Sequence, residues 1–227
     1  QLFSDLMREL FTRHTWGHAA KAHRFKDTMT LLGYVAYGML ARDRLYLTQP
    51  ELMEILAQTR RESFNTAFPE QERSQLAFLE SLISNVGVME QSVGGGVHIY
   101  SFQIRIFQEY LAAYACCNLK IEGRDRPDPT AALSAHLNDT RWARIVSFAL
   151  AALKDNSADA ELNRLVQAIV DAAGETDFPA TLLEAEMMLP RAQVQRLCQR
   201  YFGAGRSGIE QMRLLQLCMR TRSDGAF

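Results

Sequence analysis

The sequence predicts a mainly α-helical protein with one small β-hairpin, the hairpin standing before a buried helix and a run of shorter helices following it. Three observations carry this. Apolar residues recur at helical spacing through most of the 227 residues. Three consecutive glycines, Gly94-Gly95-Gly96, stand between two short alternating runs. From Tyr100 to Leu119 the pattern then changes from period two to a helix that is apolar nearly all round, which is the mark of a buried helix.

In order, Leu2, Phe3, Leu6, Leu10 and Phe11 share a helical face opposite Asp5, Arg8, Glu9 and Arg13. Thr15–Lys26 is basic and histidine-rich and reads as a loop or partly helical connection. From Asp27, residues Met29, Leu32, Val35, Ala36, Met39 and Leu40 form a largely buried helix ended by Arg42-Asp43-Arg44. Leu45-Tyr46-Leu47 is a short extended piece. Thr48 caps the next helix, with Pro50 in its first turn and Glu51 three places on, the arrangement of a capping box. That helix runs through Leu52, Ile55 and Leu56. A fourth, Gln71–Asn85, is carried by Leu76, Phe78, Leu79, Leu82 and Ile83. Val86–Val93 and Val97–Phe102 then flank the glycine turn as a hairpin. Helices followed by such a hairpin make a winged helix.

The buried helix carries Ile104, Phe107, Leu111 and Tyr114 on one stripe and Ile106, Tyr110, Ala113 and Cys117 on another, with Arg105, Gln108 and Glu109 as its strongly polar members. Ala112, Ala113 and Ala115 leave room for close helix neighbours. Ile121–Pro129 reads as an exposed connection. Ala131–Leu137, Trp142–Leu153, Ala160–Ala173, Thr181–Leu189, Arg191–Phe202 and Ser207–Arg220 follow as helices, an α-helical bundle or short helical solenoid without a strict repeat. The expected division is 1–26 as the end of a preceding helical domain, 27–103 winged-helix-like, 104–220 helical, and 221–227 a frayed tail. The chain opens on Gln1 rather than methionine, and a piece of a longer protein is expected.

The segment Tyr100-Ser101-Phe102 followed by Phe107-Gln108-Glu109-Tyr110-Leu111-Ala112-Ala113 resembles the F-x-H-x-x-F-Q-E-[YF]-x-A-A stretch of NACHT proteins, which are signal-transduction NTPases of the STAND class. In that family the stretch follows the winged-helix domain. Leu137, Asp139 and Trp142 resemble the family's later L-x-D-x-x-W helix, so the likeness covers about the first two-thirds of the chain. One departure stands out: the family's histidine, which donates to a phosphate of ADP, is replaced by Ile104. The resemblance implies a regulatory switch, possessing no nucleotide core of its own, that closes over ATP or ADP with magnesium in an upstream domain of the same protein. The parent would be an ATPase that forms a homo-oligomer when activated, in the cytoplasm, in signalling or bacterial defence. Arg105 and His98 are the neighbours that could stand in for the missing histidine.

Other chemistry finds little support in the residues. Gly203-Ala204-Gly205-Arg206-Ser207-Gly208 has phosphate-loop glycine spacing, but Ile209-Glu210 stand where Lys-Ser/Thr is required. His14, His18 and His23 have no cysteine near them to complete a zinc shell, so no metal is expected. No catalytic constellation is visible and no enzyme activity is expected of this chain alone. Glu109 reads as the ion-pair partner of Arg105 one turn back. The alternative function, a winged-helix transcription regulator with a helical dimerisation domain, needs cations toward DNA. The helix Gln71–Asn85 has only Arg73 beside Glu72 and Glu80, and the wing has Glu90 and no Lys or Arg. Other basic groups, Arg60-Arg61 and Arg191, Arg196 and Arg200, read as solvated helix faces. A net charge of −1 gives no general pull toward nucleic acid or anionic membrane, and no apolar run reaches the about 18 residues of a spanning helix. Four cysteines in no metal or disulfide spacing, two of them adjacent as Cys116-Cys117, are expected to be reduced thiols.

Overall fold

The computed structural model describes residues 5–7, 9, 21–63, 80, 87–121, 127–137 and 139–172. Within them the protein is mainly helical with a small three-stranded antiparallel sheet. The chain divides into two compact units between Pro127 and Asp128.

In the first unit, residues 5–7 and 9 are helical, and Met7 is buried while Leu6 is 40% exposed. At these positions Met7 rather than the expected Leu6 is the inward residue; Leu2, Phe3, Leu10 and Phe11 lie outside the described residues. Helix α1, Lys21–Ala41, begins six residues before the predicted start at Asp27. Its Met29, Leu32, Val35, Ala36 and Met39 are buried as the spacing requires. It ends in a Schellman motif: the Arg44 N–H donates to the Met39 carbonyl at 2.8 Å and the Asp43 N–H to the Leu40 carbonyl at 3.0 Å, with Asp43 left-handed at φ 53°. The extended piece is strand β1, Tyr46–Thr48, with Leu45 outside it and largely exposed.

Helix α2, Gln49–Ser63, starts as predicted. The backbone N–H and the hydroxyl of Thr48 both donate to Glu51 Oε2 at 2.8 Å, the glutamate half of a capping box. Strands β2, Met89–Gly94, and β3, Val97–Phe102, are joined by Gly95-Gly96. Both glycines have positive φ, 61° and 79°, as a two-residue hairpin turn of the I′ kind demands. β1 also pairs with β3, so the sheet order is β1-β3-β2, one strand more than the expected hairpin. Leu47, Met89, Tyr100 and Phe102 supply its buried face. Of the helix predicted over Gln71–Asn85, only Glu80 lies within the described residues. It is helical, and its charge adds to burial in raising the Tyr100 phenol above its ordinary value.

Helix α3, Arg105–Asn118, packs along α1. Its small residues Ala112, Ala113 and Ala115 are buried, as expected. A Cβ at Gly33 of α1 would sit 3.2 Å from Leu119 Cδ1 and 3.4 Å from the Leu111 carbonyl oxygen, so a side chain there would require a neighbour to give by a few tenths of an ångström. The Tyr34 hydroxyl donates to the Lys120 carbonyl at 2.6 Å and fixes the far end. Ile121 is buried, so the connection that follows is anchored at its start rather than exposed there.

The second unit, as described, contains helix α4, Pro129–Ser134, a 3-10 turn at Thr140–Trp142, and helices α5, Ala143–Asp155, and α6, Asp159–Ala172. Asp128 caps α4, accepting from the Ala131 N–H at 3.1 Å, and Pro129 is buried rather than exposed. Ile145, Val146, Ala149 and Leu153 are the buried face of α5, which packs against α6, where Leu165, Val166 and Ile169 are buried. α5 ends in a second Schellman motif about Ser157, left-handed at φ 54°. The helices predicted beyond Ala172, the loop Gly203–Gly208, the arginines 191, 196 and 200, and His14 and His18 all lie outside the described residues.

Candidate functional site

The residues that the sequence singles out converge on the junction of β3 and α3. β3 leaves the sheet at Phe102, and the Gln103 N–H donates to the Val88 carbonyl at 3.0 Å. Ile104 then turns the chain. Its dihedrals are extended (φ −131°, ψ 121°), it occupies the N-cap position, and no side chain caps the helix. Ile104 thus offers no side-chain acceptor to the first N–H groups of α3, of which the Phe107 N–H donates to the Ile104 carbonyl at 3.0 Å, at the positive end of a 14-residue helix.

Ile104 is 51% exposed. The expectation that it continues a core stripe through Phe107 and Leu111 is corrected: an N-cap residue has left the helical spiral, so its side chain no longer follows that stripe. Phe107 itself is half-buried, and the fully buried face runs instead through Gln108, Leu111, Ala112, Ala115 and Cys116. Tyr110 is half-buried; Tyr100, Phe102 and Ala113 are buried.

Two polar members of the motif go inside. Glu109 is 4% exposed and accepts from Arg105 Nε at 3.1 Å, the ion pair that the one-turn spacing predicts. Gln108 is 3% exposed, and its Nε2 has no hydrogen-bond partner among the described residues. A buried donor left unmade costs about 1–3 kcal/mol.

The two proposed stand-ins for the absent histidine differ in position. Arg105 is adjacent, half in solvent, with its Nε on Glu109. His98 belongs to the other end of the hairpin. It is paired in register with Val93, and its Nδ1 lies 2.8 Å from Gln91 Nε2. Four strand steps put it roughly 13 Å from Phe102, at the far end of β3 from the helix. The structure therefore does not bring His98 and Ile104 together.

Trp142, in the second unit, is buried, with its ring stacked on His136. Sequence spacing gives no reason to pair these two, six residues apart across Asp139, because that separation matches neither helix nor strand. Asp139 caps the 3-10 turn by accepting from the Arg141 N–H at 2.9 Å. The Arg141 guanidinium holds its carboxyl below the usual carboxylate range, with the charge of His136 assisting.

Cys116 and Cys117 form no disulfide, and burial pushes the Cys117 thiol up to about 12. Among the described residues no group of three His, Cys, Asp or Glu could hold a metal ion, and no helix is long and apolar enough to cross a membrane. In comparisons with protein-family models, curated proteins and solved structures, nothing matches the chain.

Proposed function

We propose that this chain is the winged-helix and helical part of a NACHT-type signal-transduction ATPase, the part that closes over a nucleotide held upstream and moves when the protein is activated. The observation that carries the reading is the order of elements in the first unit. A helix, a short strand and a second helix precede a hairpin whose second strand is central in the order β1-β3-β2, and the Phe107–Ala113 motif helix starts three residues past that strand. A winged helix has this order, with a third helix before the hairpin, where Gln71–Asn85 is predicted.

In this reading nucleotide and magnesium belong to the upstream domain. The described residues form no phosphate cradle: the start of α3 offers backbone N–H groups, suited to an anion, beside an isoleucine that has no donor. The chain's part is mechanical. It supplies a rigid body whose position is biased by a ligand that meets the closed and open states differently. Assembly into a homo-oligomer, cytoplasmic location and service in bacterial defence go with the family and are part of the proposal.

The same order of elements would also serve a DNA-binding winged helix. Against that, no Lys or Arg occurs from Gly87 to Ile104, and Glu90 is exposed on the wing. Backbone affinity for DNA scales with the cations offered, so this second reading is the weaker one.

The reading frame upstream of Gln1 is the first test, and a Walker motif there is expected. Calorimetric titration is the second: this chain alone neither binds ATP tightly nor hydrolyses it, whereas the full-length protein does both. Submillimolar ATP affinity with turnover by this chain alone would remove the proposal. Salt-sensitive DNA binding by this chain at low ionic strength would replace it with the transcription-regulator reading.

A further inference from the structure

The turn after α4 lays His136 over Trp142 with ring centroids 3.7 Å apart and planes within 4°. Two neutral aromatic rings avoid such overlap, because the negative faces of their quadrupoles repel. They settle offset or edge-on, with centroids about 4.5–7 Å apart. A positive charge reverses the preference, since the indole face attracts a cation lying over it. Exposure fits the same chemistry: Trp142 is 2% exposed, while His136 is half-buried and open to proton exchange.

Asp139 follows His136 by three residues, and its N–H donates to the His136 carbonyl at 3.0 Å. The carboxylate of Asp139 pairs with Arg141, whose Nη2 lies 2.6 Å from Oδ2. Among the described residues of this unit the other charges are Asp128, which caps α4, Lys154 and Asp155, exposed at the end of α5, and those that follow. Arg144 is exposed on the first turn of α5. On α6, which packs against α4 and α5, Glu161 and Arg164 pair with each other at 3.2 Å, Asp159 is exposed, and Asp171 accepts from Gln167.

We propose that His136 is a proton-operated latch on the corner between α4 and α5: the imidazolium is held by the Trp142 face, and the corner loosens when the ring is neutral. Nothing in this depends on the NACHT reading. The folded state favours the charged ring, so the stabilisation is present in full below about pH 6.5, where histidine in an unfolded chain is protonated, and fades as pH rises. The latch therefore works in the window where histidine alone among unperturbed side chains changes charge.

Thermal melts of the full chain and of His136→Gln, from pH 5.5 to 8, test it. The wild type should melt about 2–4 °C above the variant at pH 5.5, with the gap closing toward pH 8. A second measurement needs no His136 variant that folds. Replacing Trp16, the other of the chain's two tryptophans, by phenylalanine leaves Trp142 as the sole indole reporter. An imidazolium in ring contact quenches indole emission, so the fluorescence of Trp16→Phe should fall as pH drops from 8 to 5.5. A melting gap that is equal at both pH values or grows with pH overturns the latch, and so does emission that stays flat across the range.

Discussion

Arg105 stands half in solvent with its Nε 3.1 Å from the carboxylate of Glu109, one turn on and almost wholly buried. The arginine is what makes burial of that charge tolerable at the start of α3. Its replacement should therefore cost more than an exposed i,i+4 pair does. Arg105→Ala is expected to destabilise the chain by about 1.5–3 kcal/mol, the range for a hydrogen bond to a charged group. An exposed pair contributes only about 0.3–0.5 kcal/mol. Glu109→Gln keeps an acceptor oxygen and should lose less. Urea denaturation at unchanged m-value decides; a midpoint shift within the exposed-pair range would mean that the buried carboxylate is supported from elsewhere.

The cap at Thr48 gives α2 a pH-dependent start. Hydrogen bonds from the Thr48 backbone and hydroxyl hold the Glu51 carboxyl below its ordinary value, aided by Arg44 and Arg42. A depressed carboxylate contributes stability above its unfolded value, about 4.3 for glutamate, and loses it as pH falls through the folded one. Thr48→Ala should cost about 1 kcal/mol at pH 7. Glu51→Gln should melt below wild type at pH 7 and approach it by pH 3. A gap that does not narrow on acidification would assign the cap to Thr48 alone.

Among the described residues two helices, α1 and α5, end in a left-handed residue other than glycine. Ser157 at φ 54° closes α5 through the Ala158 N–H to the Leu153 carbonyl at 2.9 Å and its own N–H to the Lys154 carbonyl at 3.0 Å. The left-handed region costs an ordinary residue about 1–2 kcal/mol, partly offset by the greater unfolded-chain freedom of glycine. Ser157→Gly should raise stability by about 0.5–1 kcal/mol, read as a melting temperature higher by a few degrees. A drop would show that the serine hydroxyl makes up the difference.

Thiol chemistry at the end of α3 should be silent. With the Cys117 thiol pushed up to about 12 by burial, about one molecule in ten thousand carries the thiolate at pH 8. Iodoacetamide at pH 8, followed by peptide mapping, should leave Cys117 unmodified until the chain is denatured. Labelling of Cys117 in the folded chain at the rate of a small thiol would place its sulfur at the surface.

What was legible in the sequence was local. Thr48 with Glu51, the glycine turn, and the alanines of α3 each carry their own signal within a few residues, and each is where it was expected. What was missed needed partners distant in sequence. Lys21–Lys26 has no apolar period, although lysine, alanine and arginine are good helix formers, so the first turns of α1 read as a loop or partly helical connection rather than as part of that helix. A three-residue strand has no period to detect, and β1 becomes one only by pairing with Ser101, Tyr100 and Ile99. Leu6 and Met7 are equally apolar, and hydropathy alone cannot choose which of them faces inward. The stripe through Phe107 was carried one residue too far, to Ile104, because dihedral angles rather than hydropathy mark where a helix begins.

That last residue gives the sharpest test of the proposed function. An isoleucine at an exposed N-cap is a poor choice for stability, since it cannot accept from the open N–H groups and leaves apolar surface in water. Ile104→Ser should therefore stabilise the chain by about 0.5–2 kcal/mol by capping alone. Ile104→His in the full-length parent should do something different. If the position faces nucleotide, as the NACHT resemblance implies, the imidazole supplies a donor to a charged phosphate, a contact of about 1.5–3 kcal/mol, or some ten- to hundredfold in the balance of closed and open states. ADP release should slow by that factor and oligomerisation without a trigger should fall, while Ile104→Ser changes neither by more than a fewfold. The serine variant separates a firmer helix from a ligand contact, because it caps without reaching outward. An ADP off-rate unchanged in Ile104→His, with the fold intact, would mean that the start of α3 does not face the nucleotide, and the switch reading would lose its one assignable contact.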